Sequence, residues 1–391
     1  MWIQREISNK ILGIAKQFPA LILTGARQVG KTSLLERLFP DFHFVSLELP
    51  SMADFAEKAP QEFIGRHPPP LIIDEVQYAP GLFRYLKHWI DQDRHRYGQF
   101  LLTGSQKFTL MKNVSESLAG RAAILELETL SWHEIQSFAP TSELEVILRG
   151  GFPELQSRRE VDARIFFQSY VATYLERDVR SLLQVGHLRD FERFLRACAL
   201  RSGQILNKSE LARDVGVSPT TANEWLSVLQ TSNQVILLEP WFRNKTKAMV
   251  KSPKLYLADL GLLCHLLGIS TAEELLRSPL IGAIWETFIF SEIRKRQIRE
   301  RGNWEAFFWR DLRGLECDFL IHHGGRFQLI ETKFAENPDA RDAVKLEKIS
   351  EILGKKNIES RILLLRGDHS FPISEEVKAV SFREWEREKS F

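Results

Sequence analysis

Eight residues near the amino terminus, Gly25-Ala26-Arg27-Gln28-Val29-Gly30-Lys31-Thr32, constrain this chain more than any other stretch. They follow a short apolar run, Ala20–Leu23, and precede a helical pattern that begins near Lys31. G-x-x-x-x-G-K-[ST] between a strand and a helix is the arrangement that closes a loop around a polyphosphate. Gly25 and Gly30 let the backbone turn its N–H groups inward, and the helix N-terminus adds partial positive charge. Lys31 then reaches the β- and γ-phosphates, the Thr32 hydroxyl ligates Mg²⁺, and Ser33 completes the binding stretch. The expected ligands are therefore ATP and Mg²⁺.

A second segment agrees with the first. Leu71-Ile72-Ile73-Asp74-Glu75 reads as a buried strand ending in two carboxylates. Alone, such a pair is more often simply solvated. About forty residues after a phosphate loop, Asp74 reads as the residue holding the metal through water and Glu75 as the one polarising the attacking water. His43–Leu47 and Phe100–Leu102 are further strand candidates, and short apolar runs separated by helical patterns predict a parallel α/β sheet.

A chain of 391 residues exceeds one ordinary core, so several domains are expected. Our reading divides it into a P-loop domain over residues 1–140, a helical lid over 141–203, a winged helix-turn-helix over 204–265 and a C-terminal α/β domain over 275–391. With 53 Lys+Arg against 51 Asp+Glu, the net charge of +2 gives no global argument for nucleic acid, so any basic surface must be local. Cys198, Cys264 and Cys317 lie far apart without metal-ligand spacing, which fits reduced thiols. MWIQREISNK lacks an apolar signal core and no apolar run approaches a membrane span. The expectation is a cytoplasmic protein with no membrane partner.

In the middle of the chain, Asn207–Gly216 and Ser218–Gln234 read as two helices joined by a tight turn, followed by a strand at Val235–Leu238. Ser218 suits an N-cap, Pro219 a first helical position and Gly216 a helix end. The second helix offers Thr220, Thr221, Asn223 and Glu224 but no Arg or Lys. The segment Trp241–Lys254 instead carries Arg243, Lys245, Lys247, Lys251 and Lys254 with no acid, a candidate phosphate-tracking hairpin. Two readings stay open: a DNA partner, or a module that packs against protein.

The last third holds a helix near Ile281–Arg301 and strand candidates at Ala306–Trp309, Cys317–Ile321, Gln328–Ile330 and Arg361–Leu365. Glu316-Cys317-Asp318 opens one strand and Glu331-Thr332-Lys333 closes the next, with Glu331 and Lys333 on one face by the period of two. A divalent cation between Asp318 and Glu331, a helix carboxylate from Glu286 (or Glu292) and the ammonium of Lys333 would form a hydrolytic site.

Two resemblances follow. Gly25–Thr32, Asp74–Glu75 and Leu101-Leu102-Thr103-Gly104-Ser105 resemble the Walker A, Walker B and sensor-1 elements of AAA+ ATPases. That resemblance implies that Ser105, or else Gln106, positions water or senses the γ-phosphate. It implies an arginine finger at Arg121, for which a surface role is the alternative, and a weaker second contact at Arg177. The order Glu286, Asp318, Glu331, Lys333 resembles the restriction-endonuclease-like, PD-(D/E)xK, nuclease fold, although the leading Pro-Asp is replaced by Glu316-Cys317-Asp318. With Gly150-Gly151-Phe152-Pro153-Glu154 and Tyr174–Val179, the whole chain is similar to prokaryotic AAA-family ATPases with such a C-terminal domain. The resemblance implies an ATP-hydrolysing protein that binds DNA and cleaves it with Mg²⁺. The alternatives are a nucleotide-switched regulatory ATPase whose nuclease-like domain does not cut, and a protein-remodelling ATPase. A homo-oligomer or a protein partner is compatible with each.

Overall fold

Apolar segments of the first 126 residues pair into one parallel sheet. The computed structural model describes residues 2–105, 117–175, 188–242, 252–300, 304–336, 338 and 340–388. Strands β1 (Ala20–Thr24), β2 (His43–Ser46), β3 (Leu71–Asp74), β4 (Phe100–Gly104) and β5 (Ala122–Glu126) run parallel in the order β2-β3-β4-β1-β5. The three inner strands are buried along their whole length, which is why they read as unbroken apolar runs. β5, half exposed at the edge, gave no such signal. Helices α1 (Lys31–Leu38) and α2 (Leu82–Gln92) follow β1 and β3. Parallel strands gather their C-terminal ends on one edge, so Thr24 lies beside Gly104 and Glu126, and Asp74 beside Ser46.

The chain leaves this sheet through α3 (Trp132–Phe138), started by a capping box in which Ser131 and Glu134 exchange hydrogen bonds. Further on, α4 (Lys208–Val215) and α5 (Pro219–Thr231) start at Asn207 and Ser218, whose side chains accept the N–H groups of Glu210 and Thr221. Gly216 closes α4 in a left-handed conformation. They lie beside a small antiparallel sheet, β6 (Gln204–Ile205), β7 (Val235–Leu238) and β8 (Lys254–Leu257), in the order β6-β8-β7. Helix α6 (Leu260–Leu267) follows.

The buried helix α7 (Ile281–Arg299) leads into a mixed sheet of β9 (Trp304–Arg310), β10 (Glu316–His323), β11 (Arg326–Lys333), β12 (Ile358–Leu365), β13 (Phe371–Pro372) and β14 (Lys378–Ser381). Its order is β13-β14-β12-β11-β10-β9. β9, β10 and β11 are antiparallel, while β11, β12 and β14 are parallel. Helix α8 (Ala340–Leu353) packs on the face away from α7, and α9 (Phe382–Arg387) follows β14.

One apolar cluster runs through all of these parts, from Leu21 and Val29 through Phe152, Trp225 and Leu263 to Trp285, Phe319 and Leu364. Trp285 is fully buried against Phe288, Phe334 and Phe382. Truncating such a side chain typically costs about 3–5 kcal/mol. Trp241, past the end of β7, packs on Phe307 and Phe327, and its backbone N–H donates to the Phe308 carbonyl at 2.7 Å. The small sheet is thus docked on the C-terminal one. Among the described residues no helix is long and apolar enough to cross a membrane.

Candidate functional site

The loop after β1 is bent by three residues with positive φ: Gly25 at 145°, Gln28 at 61° and Gly30 at 90°. Gly25 has no alternative, because a Cβ there would lie 2.2 Å from the Leu127 carbonyl oxygen. The Lys31 ammonium curls over the loop and donates to the carbonyls of Gly25 at 3.1 Å and Ala26 at 2.7 Å. Next to it, the Thr32 hydroxyl donates to Asp74 Oδ1 at 2.6 Å. A hydroxyl and a carboxylate in contact at a helix N-terminus, beside a glycine cradle, are a donor set that fits Mg²⁺ carried in on nucleotide phosphates.

Asp74 is held further by the hydroxyls of Thr103 and Ser46. Glu75 adopts a left-handed conformation with φ of 54°, a position that costs of order 1 kcal/mol or more outside glycine. That turn brings its Oε2 to the Ser105 hydroxyl at 3.1 Å and to the Gln77 side-chain amide, while its own N–H donates to Thr103. Lys31, Thr32, Asp74, Glu75 and Ser105 therefore meet at one end of the sheet.

Arg121 does not meet them. Its carbonyl accepts the Ala20 N–H at the start of β1, so it sits at the far end of the strand from the loop, about 13 Å away at a strand's rise per residue. Its guanidinium grips Asp91 at 2.6 and 2.8 Å. This placement sets Arg121 away from the phosphate loop of its own chain. Gln106, Arg177, and Arg243, Lys245, Lys247 and Lys251 of the expected basic hairpin lie outside the described residues.

The loop is braced from behind. Arg5, nearly buried, donates to the carbonyls of Val29 at 2.9 Å and Glu128 at 2.7 Å and pairs with Glu134 at 3.1 Å. Ala26 and Val29 face Phe152 and Asp259 across a small cavity. Asp259 is the N-cap of α6 and also accepts the Gly151 N–H at 2.8 Å. Arg294 of α7 pairs with Glu126 and Glu128 at the end of β5.

The C-terminal residues expected to form one site divide into two clusters. Glu286 on α7 and Asp318 on β10 share the ammonium of Lys254, at 2.8 and 3.5 Å, and Glu316 joins at 2.5 Å. The Tyr256 hydroxyl donates to Glu286 at 2.6 Å, and Asp318 accepts the N–H and hydroxyl of Thr332, both at 2.9 Å. Lys254, expected on an exposed basic hairpin, is the first residue of β8 and only 2% exposed. Glu331 turns instead to Lys345 of α8 at 2.6 Å, and Lys333 lies nearer to Asp342 (3.2 Å) than to Glu331 (3.6 Å). Glu292, the alternative to Glu286, accepts the Trp132 N–H.

A bulge between Cys317 and Leu320 explains the split. It leaves Asp318 and Phe319 toward α7, while Glu331 follows Leu329 toward α8. Burial, and then the nearby charge of Asp318, push the Glu286 carboxyl up to about 7 and that of Glu331 up to about 8. Burial alone would raise Asp318 as well, but Lys254 and the Thr332 hydrogen bonds hold it below the usual range. Asp318 and Glu331 are near enough for their charges to interact, but each is paired with a different ammonium, Lys254 for Asp318 and Lys345 for Glu331. Among the described residues no three His, Cys, Asp or Glu side chains are placed to hold a metal ion.

Comparison with known proteins places the loop. A family described as an AAA domain matches residues 17–136, and two domains of unknown function, DUF8612 and DUF4143, match residues 142–273 and 281–385. Uncharacterized protein Rv2008c of Mycobacterium tuberculosis is 30% identical over 379 residues, covering 96% of this chain and 83% of its own. Uncharacterized protein Mb2031c of Mycobacterium bovis matches with the same figures. The chain belongs to the family of these mycobacterial proteins. It is an ATP-binding P-loop ATPase of the AAA type. Among solved structures it is similar to the Walker-type ATPase PABY2304 of Pyrococcus abyssi, with a TM-score of 0.47 and 16% identity over 68% of this chain and 96% of that one.

Several residues around the ATPase site carry no motif. Arg5 stands in the amino-terminal stretch outside any motif, and Asp259 and Arg294 reach the surroundings of the loop, at Gly151 and at Glu126 and Glu128, from more than a hundred residues away. Gln77 sits two residues past Glu75 and was legible only as part of the turn after the acid strand.

Proposed function

We propose that this ATPase is a nucleotide-switched DNA-binding regulator, in which the state of the phosphate loop sets how the middle and C-terminal parts are docked. The observation that carries this reading is that Ala26 and Val29 of the phosphate loop line one small cavity together with Phe152 and Asp259. The loop that grips phosphate and the turn that anchors α6 share one small cavity, so a change in the loop's shape is felt by the turn.

In this reading Lys31 leaves its own loop carbonyls for the β- and γ-phosphates. Thr32 and, through water, Asp74 hold Mg²⁺, which when bound neutralises phosphate charge. Glu75 polarises the attacking water, and Ser105 and Gln77 orient the Glu75 carboxylate through the hydrogen bonds described above. Arg121, at the other end of the strand, would reach the nucleotide of a neighbouring copy. DNA is the partner suggested by the two helices at Lys208–Thr231 and the cations Arg243, Lys245, Lys247 and Lys251 between β7 and β8. The exposed face of α5 presents Thr220, Asn223 and Glu224, a surface that selects more than it attracts, so those four cations carry the phosphate contacts. The arrangement of Glu286, Asp318, Glu331 and Lys333 favours a nuclease-like domain that does not cut.

The test is DNA binding by fluorescence anisotropy with ADP, with a slowly hydrolysed ATP analogue and without nucleotide, in wild type and Lys31→Ala. The expected result is a several-fold change of affinity with nucleotide that disappears in Lys31→Ala. Equal affinity in every state overturns the switch, and no affinity for any DNA overturns the choice of partner.

A further inference from the structure

Three carboxylates that a nuclease-like motif would reserve for metal surround one ammonium. Lys254 Nζ lies 2.5 Å from Glu316, 2.8 Å from Glu286 and 3.5 Å from Asp318. It also sits over the Phe308 ring, 5.6 Å from its centre. The lysine belongs to β8, not to the sheet that supplies Glu316 and Asp318 or the helix that supplies Glu286. β8 is held by pairing with β6 and β7 on both sides, and Trp241 pins the end of β7 to β9. The ammonium is thus inserted from another part of the fold and locked there.

We infer that Lys254 is a built-in counter-cation that closes the Glu286–Glu316–Asp318 pocket to divalent metal as long as β8 stays docked. The inference deepens the non-cleaving reading above by naming what blocks the site. A tethered charge acts at a very high effective concentration, commonly in the millimolar range or above. Mg²⁺ and Mn²⁺ moreover keep several waters and demand regular geometry, for which a pocket sealed by a nine-tenths buried lysine leaves no room. Thr332 on one side and Arg310 on the other, 2.8 Å from Glu316, occupy further lone pairs. With the ammonium in place, no three acids among the described residues are set to hold a metal; removing it leaves Glu286, Glu316 and Asp318 around one uncompensated point, for which a divalent cation competes with protons.

The experiment counts Mn²⁺ bound to the nucleotide-free full chain by electron paramagnetic resonance. Wild type is expected to bind no ion that depends on Asp318. Lys254→Met is expected to bind one, at least tenfold tighter than wild type, and to lose it when Asp318→Asn is added. Wild-type binding that Asp318→Asn abolishes overturns the inference, as does a folded Lys254→Met with no gain, folding being checked by ATP turnover and circular dichroism. Should Lys254→Met fail to fold, the wild-type arm still decides. The pair Lys254→Met with Glu286→Gln, which restores part of the charge balance, repeats the gain. Nucleotide-dependent DNA binding does not enter this readout, so the two proposals fail separately.

Discussion

Asp74 and Glu75 in the first sheet are held by Thr32, Thr103, Ser46, Ser105 and Gln77, all neutral donors. Glu286, Glu316 and Asp318 around the last sheet are held by an ammonium. Both regions gather acids beside a strand end with a lysine near in the motif, and the chemistry diverges in what holds those acids. Neutral donors fix a carboxylate without cancelling its charge, leaving it for a cation that arrives with nucleotide. A buried ammonium cancels the charge within the fold, and breaking such a pair costs several kcal/mol. Acids and lysines in the right order therefore mark a place where charge is concentrated, and the source of the counter-charge decides whether that place is a site or a joint.

The contrast is broken or sharpened most strongly by comparing Glu75→Gln with Asp318→Asn in ATP turnover. Glu75→Gln should lower the rate by roughly 10²–10⁴-fold with nucleotide binding retained, and Asp318→Asn should leave it within about twofold. Equal losses in the two variants would merge the regions into one functional unit. Next in size, Arg5→Ala strips a buried guanidinium from Glu134 and from the Val29 carbonyl. A loss of about 3–5 kcal/mol in urea unfolding is expected, together with weaker nucleotide binding, since the loop loses its brace. Unchanged affinity would mean that the loop holds its shape unaided.

A third effect appears in pH dependence. Burial, and then the charge of Glu292, push the Glu386 carboxyl up to about 8 from its ordinary 4.5. Folded Glu386 holds a proton that the unfolded state releases, so it makes stability fall as pH rises between about 4.5 and 8, contributing at most about 1.4 kcal/mol per pH unit beside the same-signed contributions of Glu286 and Glu331. Glu386→Gln should flatten this slope in unfolding midpoints measured at pH 5.5 and 7.5, and an unaltered slope would assign it elsewhere. The smallest change is Ser218→Ala, which removes the cap of α5 and should cost about 1 kcal/mol. Its effect on DNA affinity should be minor beside that of neutralising Lys245 and Lys247 together, and the reverse ranking would move the DNA contact from the basic segment to the helix.

The phosphate loop, the acid strand, the capped helix pair and the strand at Val235–Leu238 were determined locally. Each depends on residues a few positions apart: glycines for a left-handed turn, a serine or asparagine at a helix start, apolar runs for inner strands. β5 escaped because an edge strand needs no continuous apolar run. Tertiary structure alone decided which charges meet. A bulge of one residue set Asp318 on the face of Lys254 while Glu331 met Lys345, and strand pairing carried Lys254 from a basic stretch into the core. Arg121 was set at the wrong end of its own sheet by the direction of β5. Coulomb energy depends on distance and burial in space, and neither is a property of spacing along the chain.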